Sequence, residues 1–460
     1  MNKKLRILLI NAVNTGVEVE NRYPHLGFGY LISYARKNLS SIELEFKVVE
    51  GEANSNLTDF VPDIVGISSV SQNFTIAQRL SDFYGCRGIP VIIGGIHISV
   101  LPDTLPKSAL AGCIGEGEQT FAEILRLCSN GKLREEFVNI AGLVYWKNHE
   151  LKHTEPRIPL DNLDEIPAPD RSHMVIGSHA HMFTSRGCPY RCVFCASTRF
   201  WDKLRFHSAE YVADEIEFLY KNYHVKIISF FDDLFVANLE RMKKLKDILE
   251  EKHLLGKIKY TTNCRANLVT VELARTLKSL GVVSVGLGLE SGDEETLRFL
   301  KTGNVTVEQN HQAINIIKNE GIFANASFVI GSPDESEKQV MATYRFIKNS
   351  RLDLFDIYFL TPYPGTPVWD YSLKKGIVSN DMKDWSRLDV NAYRDFDKVI
   401  FVSDKIAPAR LVALYKKFRL LRLIRNSIKV WRHPLLHMVP KIAFMMCYDY
   451  LRRLFARIKP

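Results

Sequence analysis

Residues 184–197 read TSRGCPYRCVFCAS and carry three closely spaced cysteines, Cys188, Cys192 and Cys195. One tight loop can turn all three thiolates toward a common point. Soft thiolates suit iron–sulfur clusters or zinc, but a structural zinc site needs a fourth ligand and a catalytic zinc site usually adds histidine or carboxylate. Because no fourth ligand lies nearby in the sequence, iron is the better occupant. Three protein ligands on a four-iron cluster leave one iron open to bind another molecule.

The C-x3-C-x2-C spacing, with the aromatic Phe194 before the last cysteine, resembles the signature of the radical S-adenosylmethionine enzymes. This resemblance implies a [4Fe–4S] cluster on the three cysteines, with S-adenosylmethionine on the open iron and Phe194 among its contacts. In that family one electron from the cluster cleaves S-adenosylmethionine to a 5′-deoxyadenosyl radical, which abstracts hydrogen from unactivated carbon. Incidental buried thiols would explain any one of these cysteines alone, but not the set.

The composition indicates a multidomain protein of a reducing compartment. The chain of 460 residues is 46% hydrophobic, which is enough for at least two domains. The other cysteines are scattered singly, unlike a secreted disulfide framework, and we therefore expect a cytoplasmic protein. The start, MNKKLRILLIN, is interpreted as a first strand rather than a signal peptide, because its apolar run is short and lacks a cleavage site. No apolar run approaches the roughly 20 residues of a membrane-spanning helix.

The net charge of +9 is concentrated at the carboxyl end. Residues 407–460 contain 13 Lys and Arg against one acidic residue, a net +12, so the first 406 residues sum to −3. A nucleic-acid enzyme would distribute a basic stripe around its catalytic core. This pattern therefore argues against nucleic acid as a partner.

Residues 4–130 alternate short β-rich runs with amphipathic stretches, which predicts a doubly wound α/β domain. Each apolar run ends in small or polar residues, as expected where strand ends open into ligand-binding loops. Glycine in such loops would let the backbone approach a large planar or phosphate-bearing ligand. The predicted loops are PHLGFG (24–29), SSVSQN (68–73), GGIHIS (94–99) and GEGE (115–118).

Together these loops resemble the cobalamin-binding domain that precedes the radical domain in one large branch of the same family. The D-x-H-x-x-G motif, which supplies the lower cobalt ligand in other cobalamin proteins, is not present, and members of this branch often leave that face without a histidine. The alternatives are a Rossmann-like domain that has lost its ligand or docks substrate, and an ordinary loop or core role for His25 or His97. The resemblance implies a Rossmann-like domain at 1–130 with cobalamin contacts at Gly27, Ser68, Ser69, Gly94, Gly95, His97, Gly115, Glu116 and Gly117.

Residues 131–175 contain a strand-like GLVYW followed by prolines and acids, and are predicted to link two domains. After the cysteines, strands alternate with helices, the pattern of a parallel barrel or an open α/β layer. The resemblance implies a partial (β/α)6 barrel at 176–380 and a C-terminal region at 381–460 with a lid and basic helices.

Polar residues follow several predicted barrel strands. One of the adjacent acids Asp232 and Asp233 can face the barrel mouth and bind the ammonium of S-adenosylmethionine. Either of them could instead cap a helix. A buried Glu290 would need a ligand or an arginine as its partner, and we expect Glu335 to cap the next helix. The resemblance implies S-adenosylmethionine contacts at Asp232, Asp233, Arg265, Glu290, Ser291, Gly331 and Pro333.

Two later features concern the substrate side. Tyr358, Tyr363 and Thr366 could reach the substrate, although tyrosines at apolar strand ends usually pack, and no catalytic residue is assigned. The tail predicts an amphipathic helix with a basic face, because its apolar residues recur at 411, 414, 415, 418, 421, 424, 428 and 431. Docking of the tail on the barrel is preferred, and peripheral membrane contact is the alternative.

The predicted function is a cobalamin-dependent radical S-adenosylmethionine methyltransferase that acts on an unactivated carbon of a small-molecule or lipid-like substrate. The resemblance implies that methylcobalamin held between the domains supplies the methyl group, with the cobalamin loops looking into the barrel mouth. It also implies an electron donor such as flavodoxin or ferredoxin. The alternatives are a cyclase or rearranging enzyme with the same domains, and a non-catalytic cobalamin- or cluster-binding sensor or carrier.

Overall fold

The structure is a computed structural model that describes residues 4–14, 25–51, 60–303, 305–390 and 395–435. The described residues pack into two compact units. The first unit lies within residues 1–175, 185–207 and 360–402, and the second within residues 176–184, 208–359 and 403–460.

The strands of the described residues, numbered in chain order, are β1 (Leu5–Asn11), β2 (Leu44–Glu50), β3 (Ile64–Ser68), β4 (Val91–Gly94), β5 (Ala111–Cys113), β6 (Leu143–Lys147), β7 (Glu150–His153), β8 (His179–Met182), β9 (Ser185–Arg186), β10 (Arg205–Phe206), β11 (Ile227–Phe230), β12 (Lys259–Cys264), β13 (Val282–Glu290), β14 (Phe323–Ile330) and β15 (Leu354–Phe359).

The α-helices of the same residues are α1 (Leu26–Asn38), α2 (Phe74–Gly85), α3 (Ile96–Val100), α4 (Glu118–Ser129), α5 (Leu133–Glu136), α6 (Ser197–Phe200), α7 (Ala209–Tyr223), α8 (Leu239–Glu251), α9 (Val271–Leu280), α10 (Glu294–Lys301), α11 (Val307–Asn319), α12 (Glu337–Asn349), α13 (Pro367–Lys374) and α14 (Pro408–Lys429).

The first unit is built on a sheet with the strand order β2-β1-β3-β4-β5-β6-β7. The strands β2, β1, β3, β4 and β5 run parallel, in the order of the flavodoxin-like doubly wound folds. β1 is buried at six of its seven positions, as a parallel strand covered by helices on both faces requires. In such sheets ligands bind beyond the carboxyl ends of the strands where the order reverses, here between β1 and β3.

The segment 131–175, predicted to be a linker, extends this sheet before it connects onward. β6 pairs antiparallel with β5, and β7 pairs antiparallel with β6. Leu143 and Val144 of β6 are buried, and their strand supplies hydrogen-bond partners to the backbone of β5. The strand-like GLVYW is therefore part of the first sheet, and the prolines and acids after β7 form the connection.

Two later segments also pack within the first unit, although the predicted boundaries place them in the barrel domain or after it. These are residues 185–207, which carry the cysteines, and residues 360–402. The amide of Val368 in α13 donates to the carbonyl of Val193 in the cysteine stretch at 3.3 Å. Main-chain hydrogen bonds of this kind depend on proximity in space, so they cannot be predicted from a pattern of residues.

The second unit is a parallel sheet whose strands follow one another in chain order, β8-β11-β12-β13-β14-β15. Each neighbouring pair runs parallel, and helices lie between successive strands from β11 onward. In its interior Phe230 stacks on Phe235 at 4.2 Å and on Tyr260 at 5.3 Å between ring centroids. The partial (β/α)6 barrel expected from the resemblance is confirmed.

The tail helix α14 forms as predicted, but its two halves differ. Its first half docks on the second unit, where Tyr415 stacks on Phe359 at 4.6 Å. In its second half the cations turn inward. Arg425 Nη2 donates to the Ile347 carbonyl at 2.8 Å and Lys429 Nζ donates to the Leu352 carbonyl at 2.7 Å. The predicted arrangement, with apolar residues inside and cations outside, is therefore reversed there, because backbone oxygens in the last turn of α12 and just after it attract the cations.

No helix within the described ranges is both long enough and apolar enough to cross a bilayer.

Replacing Gly95 with alanine should lower the free energy of unfolding by more than the cost of an unfavourable backbone conformation alone, which is about 1–3 kcal/mol. The residue has φ +102°, and a Cβ there would lie 2.5 Å from the carbonyl oxygen of Ser69. Gly131→Ala is the matched control, because Gly131 has φ +73° with nothing within 4 Å of its Cβ position. Chemical denaturation followed by tryptophan fluorescence would compare the two. Equal destabilisation would contradict the close approach of the loops after β3 and β4.

Candidate cofactor and substrate site

The loops that follow β3, β4 and β5 meet at one edge of the first sheet, as predicted. The amide of Ser69 donates to the carbonyl of Gly94 at 3.1 Å, and the amide of Gly115 donates to Ser99 Oγ at 3.0 Å. Parallel strands end side by side, so these contacts join loops that are far apart in the sequence. Nothing lies within 4 Å of a Cβ built on Gly115, which leaves open space beside the GEGE loop.

His25 caps the helix that follows β1. Its Nδ1 accepts a hydrogen bond from the Phe28 amide at 3.1 Å, so Nε2 carries the proton and donates to Ser68 Oγ at 3.0 Å. Burial lowers the pKa of His25 to about 4, and a Cβ on Gly27 would lie 2.7 Å from the ring. The predicted loop PHLGFG, whose first residue lies outside the described ranges, is thus largely the first turn of α1.

His97, predicted as a cobalamin contact, lies in the core of the first unit. Its two ring nitrogens each lie 3.0 Å from a hydroxyl, those of Ser71 and Thr104. The ring stacks on Phe74 at 3.7 Å and meets Trp385 edge-on at 4.5 Å. Burial lowers the pKa of His97 to about 3. The core role, which was the alternative for this residue, describes it better, because both nitrogens already have protein partners.

Glu116, also predicted to contact cobalamin, is engaged in ion pairs. Its Oε2 lies 2.7 Å from Arg186 Nη1, and its Oε1 pairs with Arg205. The second nitrogen of Arg186 lies 2.5 Å from Glu118 Oε1. All four side chains are at most 9% exposed. The Glu116 carboxylate therefore neutralises buried arginines, and its contact with cobalamin stays a prediction. Gly117, beside it, is the N-cap residue of α4.

The three cysteines lie on an irregular stretch between β9 and α6. The amide of Cys195 donates to the carbonyl of Cys192 at 3.3 Å, which closes a turn and brings these two residues close. Within the described ranges, no three His, Cys, Asp or Glu side chains are grouped in a metal-binding arrangement. The fit of an iron–sulfur cluster therefore rests on the donor set, which is three soft thiols on one loop without regular structure to hold them apart.

The remaining buried thiols are of a different kind. Burial raises the pKa of Cys113 and of Cys264 to about 12, so both stay protonated and inert. Cys264 is accordingly a core thiol. Every cysteine within the described ranges is free of disulfide bonds, as the scattered spacing predicted.

A cavity of about 330 Å³ in the first unit brings the loop edge and the cysteine stretch together. Its volume falls in the range of small-molecule sites, and its wall is mostly apolar. Phe194 contributes to this wall, as does Tyr363, which was predicted to reach substrate. The lining residues are Val70, Ser71, Gln72, Ile96, Val100, Phe194, Cys195, Ala196, Tyr363 and Pro364.

In the second unit, Asp232 joins two neighbouring strand ends. Its Oδ1 accepts hydrogen bonds from the amide and hydroxyl of Thr184 at 2.7 and 3.1 Å. Asp232 is buried and Asp233 is exposed, so the two adjacent acids differ in their surroundings. The helix-cap alternative is wrong for both acids, because Asn238 caps α8. A contact of either acid with S-adenosylmethionine stays a prediction.

Arg265 and Glu290, predicted at neighbouring strand ends, are both joined to Lys301. Lys301 Nζ lies 2.8 Å from Glu290 Oε1, with both side chains at most 7% exposed. The Lys301 carbonyl accepts from Arg265 Nη2 at 3.4 Å. The chain itself supplies a lysine as the partner of Glu290, where a ligand or an arginine was expected. Glu290 also has φ +60°, a conformation costly for a residue with a side chain and often found at functional sites. Its neighbour Ser291 is buried and bonds Thr343 Oγ1 at 3.1 Å.

The turn after β14 encloses a second carboxyl group. Glu335 Oε2 accepts from the amides of Gly331 and Ser332 at 2.7 and 3.2 Å, whereas its Oε1 is buried without a hydrogen-bond partner. Burial raises the pKa of Glu335 to about 7. The expectation that Glu335 caps the next helix is wrong, because Ser336 supplies the capping box of α12. Pro333, in the same turn, accepts a bond from the Asp404 amide at 2.9 Å.

Of the residues proposed to reach substrate, Thr366 is excluded by its own contacts. Its side chain caps α13 and donates to the Tyr363 carbonyl at 2.6 Å, and it is fully buried. Tyr358 lies in β15 and is partly buried, and its contact with substrate stays a prediction.

Comparisons with known proteins agree with this architecture. Residues 182–347 match the family model described as the Radical SAM superfamily, and residues 14–125 match the B12 binding domain. A protein of Pyrococcus horikoshii described as an uncharacterized methyltransferase is 32% identical over 380 residues, which cover 77% of this chain and 80% of the relative.

The chain belongs to the radical S-adenosylmethionine enzymes that carry a B12-binding domain. The resemblance found in the cysteine stretch and in the four loops is thereby confirmed. A second relative of this radical S-adenosylmethionine enzyme, an anaerobic magnesium-protoporphyrin IX monomethyl ester cyclase of Rubrivivax gelatinosus, is 26% identical over 386 residues, or 78% of this chain and 68% of the relative. The solved structure of the cobalamin-dependent S-adenosylmethionine radical enzyme OxsB with aqua-cobalamin has a TM-score of 0.68 at 19% identity, covering 98% of this chain and 76% of that one. At this identity it shows the fold alone.

Sequence reasoning missed the cations that hold this radical S-adenosylmethionine enzyme's strand ends, Arg186, Arg205 and Lys301. Arg186 lies inside the TSRGC stretch, but its burial is a property of the fold and left no signal in the sequence. Lys301 ends an amphipathic helix, a position at which lysine is common for reasons of the helix dipole. Its sequence context therefore carries no mark of burial.

The Glu335 carboxyl predicts a pH dependence of stability. A folded pKa of about 7, above the ordinary 4.5, means that the native state binds more protons than the unfolded state between these values. The free energy of unfolding should therefore fall as pH rises through this window, by about 3 kcal/mol. Glu335→Gln, which keeps the accepting oxygen, should lose this slope in urea denaturation at several pH values. Glu337→Gln, on the exposed neighbour paired with Arg410, should retain it, and a slope unchanged in Glu335→Gln would contradict the assignment.

Proposed function

We propose that this protein is a cobalamin-dependent radical S-adenosylmethionine methyltransferase that acts on an unactivated carbon of a small-molecule or lipid-like substrate. The observation that carries the proposal is the cavity of about 330 Å³, whose wall combines the segments that follow β3 and β4 in the B12-binding part with Phe194 and Cys195 of the cysteine stretch. The methyltransferase description of the Pyrococcus horikoshii relative supports it.

The residues of the chain suit three groups. Cys188, Cys192 and Cys195 would hold the cluster, the strand ends of the second unit would hold S-adenosylmethionine, and the loops at 68–73, 94–99 and 115–118 would hold the corrinoid. When bound, the cluster and S-adenosylmethionine supply a hydrogen-abstracting radical and the corrinoid supplies the methyl group.

The chain's own contribution is orientation and exclusion of water. The mostly apolar wall of the cavity keeps water from the reacting carbon, and an apolar substrate would fit it best. The buried guanidinium of Arg265 suits the carboxylate of S-adenosylmethionine. Lys301 holds Glu290 in its left-handed conformation at the end of β13 and offsets its buried charge.

A cyclase or rearranging activity is the second candidate, because the Rubrivivax gelatinosus relative bears a cyclase name. The two reactions differ in their products. Methyl transfer replaces one hydrogen of the substrate by CH3 and forms S-adenosylhomocysteine as well as 5′-deoxyadenosine. Cyclisation or rearrangement forms 5′-deoxyadenosine alone or regenerates S-adenosylmethionine.

Anaerobic reconstitution with iron, sulfide and hydroxocobalamin, followed by absorption spectroscopy and product analysis, tests the proposal. We expect cluster and corrinoid absorption and both nucleoside products. Replacing Cys188, Cys192 and Cys195 by alanine should remove the cluster absorption and at least about 1,000-fold of S-adenosylmethionine cleavage. Cys86→Ala, on an exposed thiol outside the stretch, is the control and should change neither. An iron-free wild-type preparation would refute the proposal, and cofactor binding without cleavage would favour a sensor or carrier.

The reducing partner proposed for the cluster is a low-potential carrier such as flavodoxin or ferredoxin. Reductive cleavage of S-adenosylmethionine needs one electron from outside the chain. In the same assay, reduced flavodoxin takes the place of the chemical reductant dithionite. Cleavage of S-adenosylmethionine then shows whether such a carrier can reduce the cluster.

Peripheral membrane contact through α14 is also proposed. Large apolar side chains on its second half are 43–64% exposed, while Arg425 and Lys429 donate to backbone oxygens of the second unit. Leu420, Ile424 and Ile428 recur at intervals of four residues and form one apolar stripe, which suits the headgroup boundary of an anionic membrane together with the basic residues nearby.

Flotation with phosphatidylglycerol vesicles tests this contact. Replacing Leu420, Ile424 and Ile428 together by serine should reduce the vesicle-bound fraction at least about fivefold, since each buried apolar side chain contributes on the order of 1.5–3 kcal/mol. The control replaces Val271 and Phe299, exposed apolar residues elsewhere in the second unit, and should leave binding unchanged. Equal flotation of both variants would exclude α14 as the contact.

A further inference from the structure

The cysteine stretch is the connection of a two-stranded ribbon. β9 pairs antiparallel with β10, and residues 187–204 lie between them. The register places Arg186 directly opposite Arg205. Like charges directly opposite on paired strands destabilise the pair, and here both guanidinium groups are at most 9% exposed. The base of the cysteine loop would therefore open unless an anion lay between the arginines.

Glu116 provides that anion. One carboxylate oxygen pairs with Arg186 and the other with Arg205, so a single side chain of the GEGE loop bridges both strands of the ribbon. Glu118 pairs with Arg186 as well, at 2.5 Å, which balances two buried cations with two buried anions. Burial alone would raise the pKa of Glu118, but the charge and hydrogen bonds of Arg186 outweigh it and lower the pKa, so the carboxylate stays ionised.

We propose that Glu116 is a positioning residue that couples the corrinoid loop to the cysteine loop, so that a corrinoid bound at 115–118 stabilises the cluster. This inference rests on the proposed function, because it needs both cofactors. Gly115 and Gly117 flank Glu116, and the space open beside Gly115 lies on the same short loop. A ligand that orders this loop therefore also fixes the carboxylate that closes the ribbon.

Coupling of this kind is reciprocal. If the corrinoid tightens binding of the cluster, the cluster must tighten binding of the corrinoid by the same factor, and such factors are typically about 5–150-fold. A residue that only supports the fold would weaken both cofactors without changing how one depends on the other. The ratio of rates with and without corrinoid therefore separates coupling from general stability.

The experiment uses the full chain, reconstituted anaerobically with iron and sulfide. The cluster is removed with bathophenanthroline disulfonate, and its absorption is followed with and without saturating hydroxocobalamin. In the wild type the corrinoid should slow the loss at least about fivefold. In Glu116→Gln, which keeps the shape and removes the charge, the ratio should fall to about one while equilibrium dialysis still detects bound corrinoid.

Two further variants keep the test decisive. Glu123→Gln is the matched control, because Glu123 lies on α4, the helix that follows the GEGE loop, and pairs at 2.6 Å with Arg157, which is not a residue of the ribbon. It should retain the wild-type ratio. Glu116→Gln combined with Arg205→Met removes the repulsion between the arginines and should restore the basal stability of the cluster, but not the protection by corrinoid.

The outcomes distinguish the inference from the proposed function. Wild-type protein that takes up no iron or no hydroxocobalamin would overturn both. Wild-type protein that binds both cofactors without protection would overturn the coupling alone. The coupling would also be overturned if Glu116→Gln kept the wild-type ratio of the rates of cluster loss without and with corrinoid, or if Glu123→Gln lowered that ratio as much as Glu116→Gln does.

Discussion

Parallel strands that end at a common edge are the constraint on which the rest of the structure depends. In both units the residues that follow each strand are brought together whatever their separation along the chain. Ser69 meets Gly94 in the first unit, and Thr184 meets Asp232 in the second. The polar groups collected at such an edge must find partners, either in one another or in a ligand.

Charge burial follows from this constraint and divides the polar residues into two groups. Some carboxylates are already neutralised by a cation of the chain, as Glu116 is by Arg186 and Glu290 is by Lys301. Isolated buried charges would be far more costly than these pairs. The surface left for small molecules is then mostly apolar, as the wall of the cavity shows, and this suits chemistry whose reactive groups come from cofactors.

Much of the architecture was predictable because its signals are local. The alternation of apolar runs with amphipathic stretches predicted both sheets, and residues such as Ser208 mark helix starts by hydrogen bonds within one turn. Other features required contacts across the fold. His97 is a core residue because Ser71 and Thr104 occupy its nitrogens, and neither partner is recognisable from the histidine's own surroundings. In the second half of α14 the apolar and basic faces exchange places, because its cations reach backbone oxygens far away in the sequence.

The sequence by itself determined the donor set of the cysteine stretch and the order of strands and helices, because spacing and periodicity are properties of neighbouring residues. Its motifs also carried the resemblance to the family. Only the tertiary structure decided which polar side chains are occupied by one another and which face open space. Ion pairs and hydrogen bonds depend on distance in space rather than along the chain. The pairing of the Glu116 carboxylate with two arginines is accordingly seen only in the folded protein.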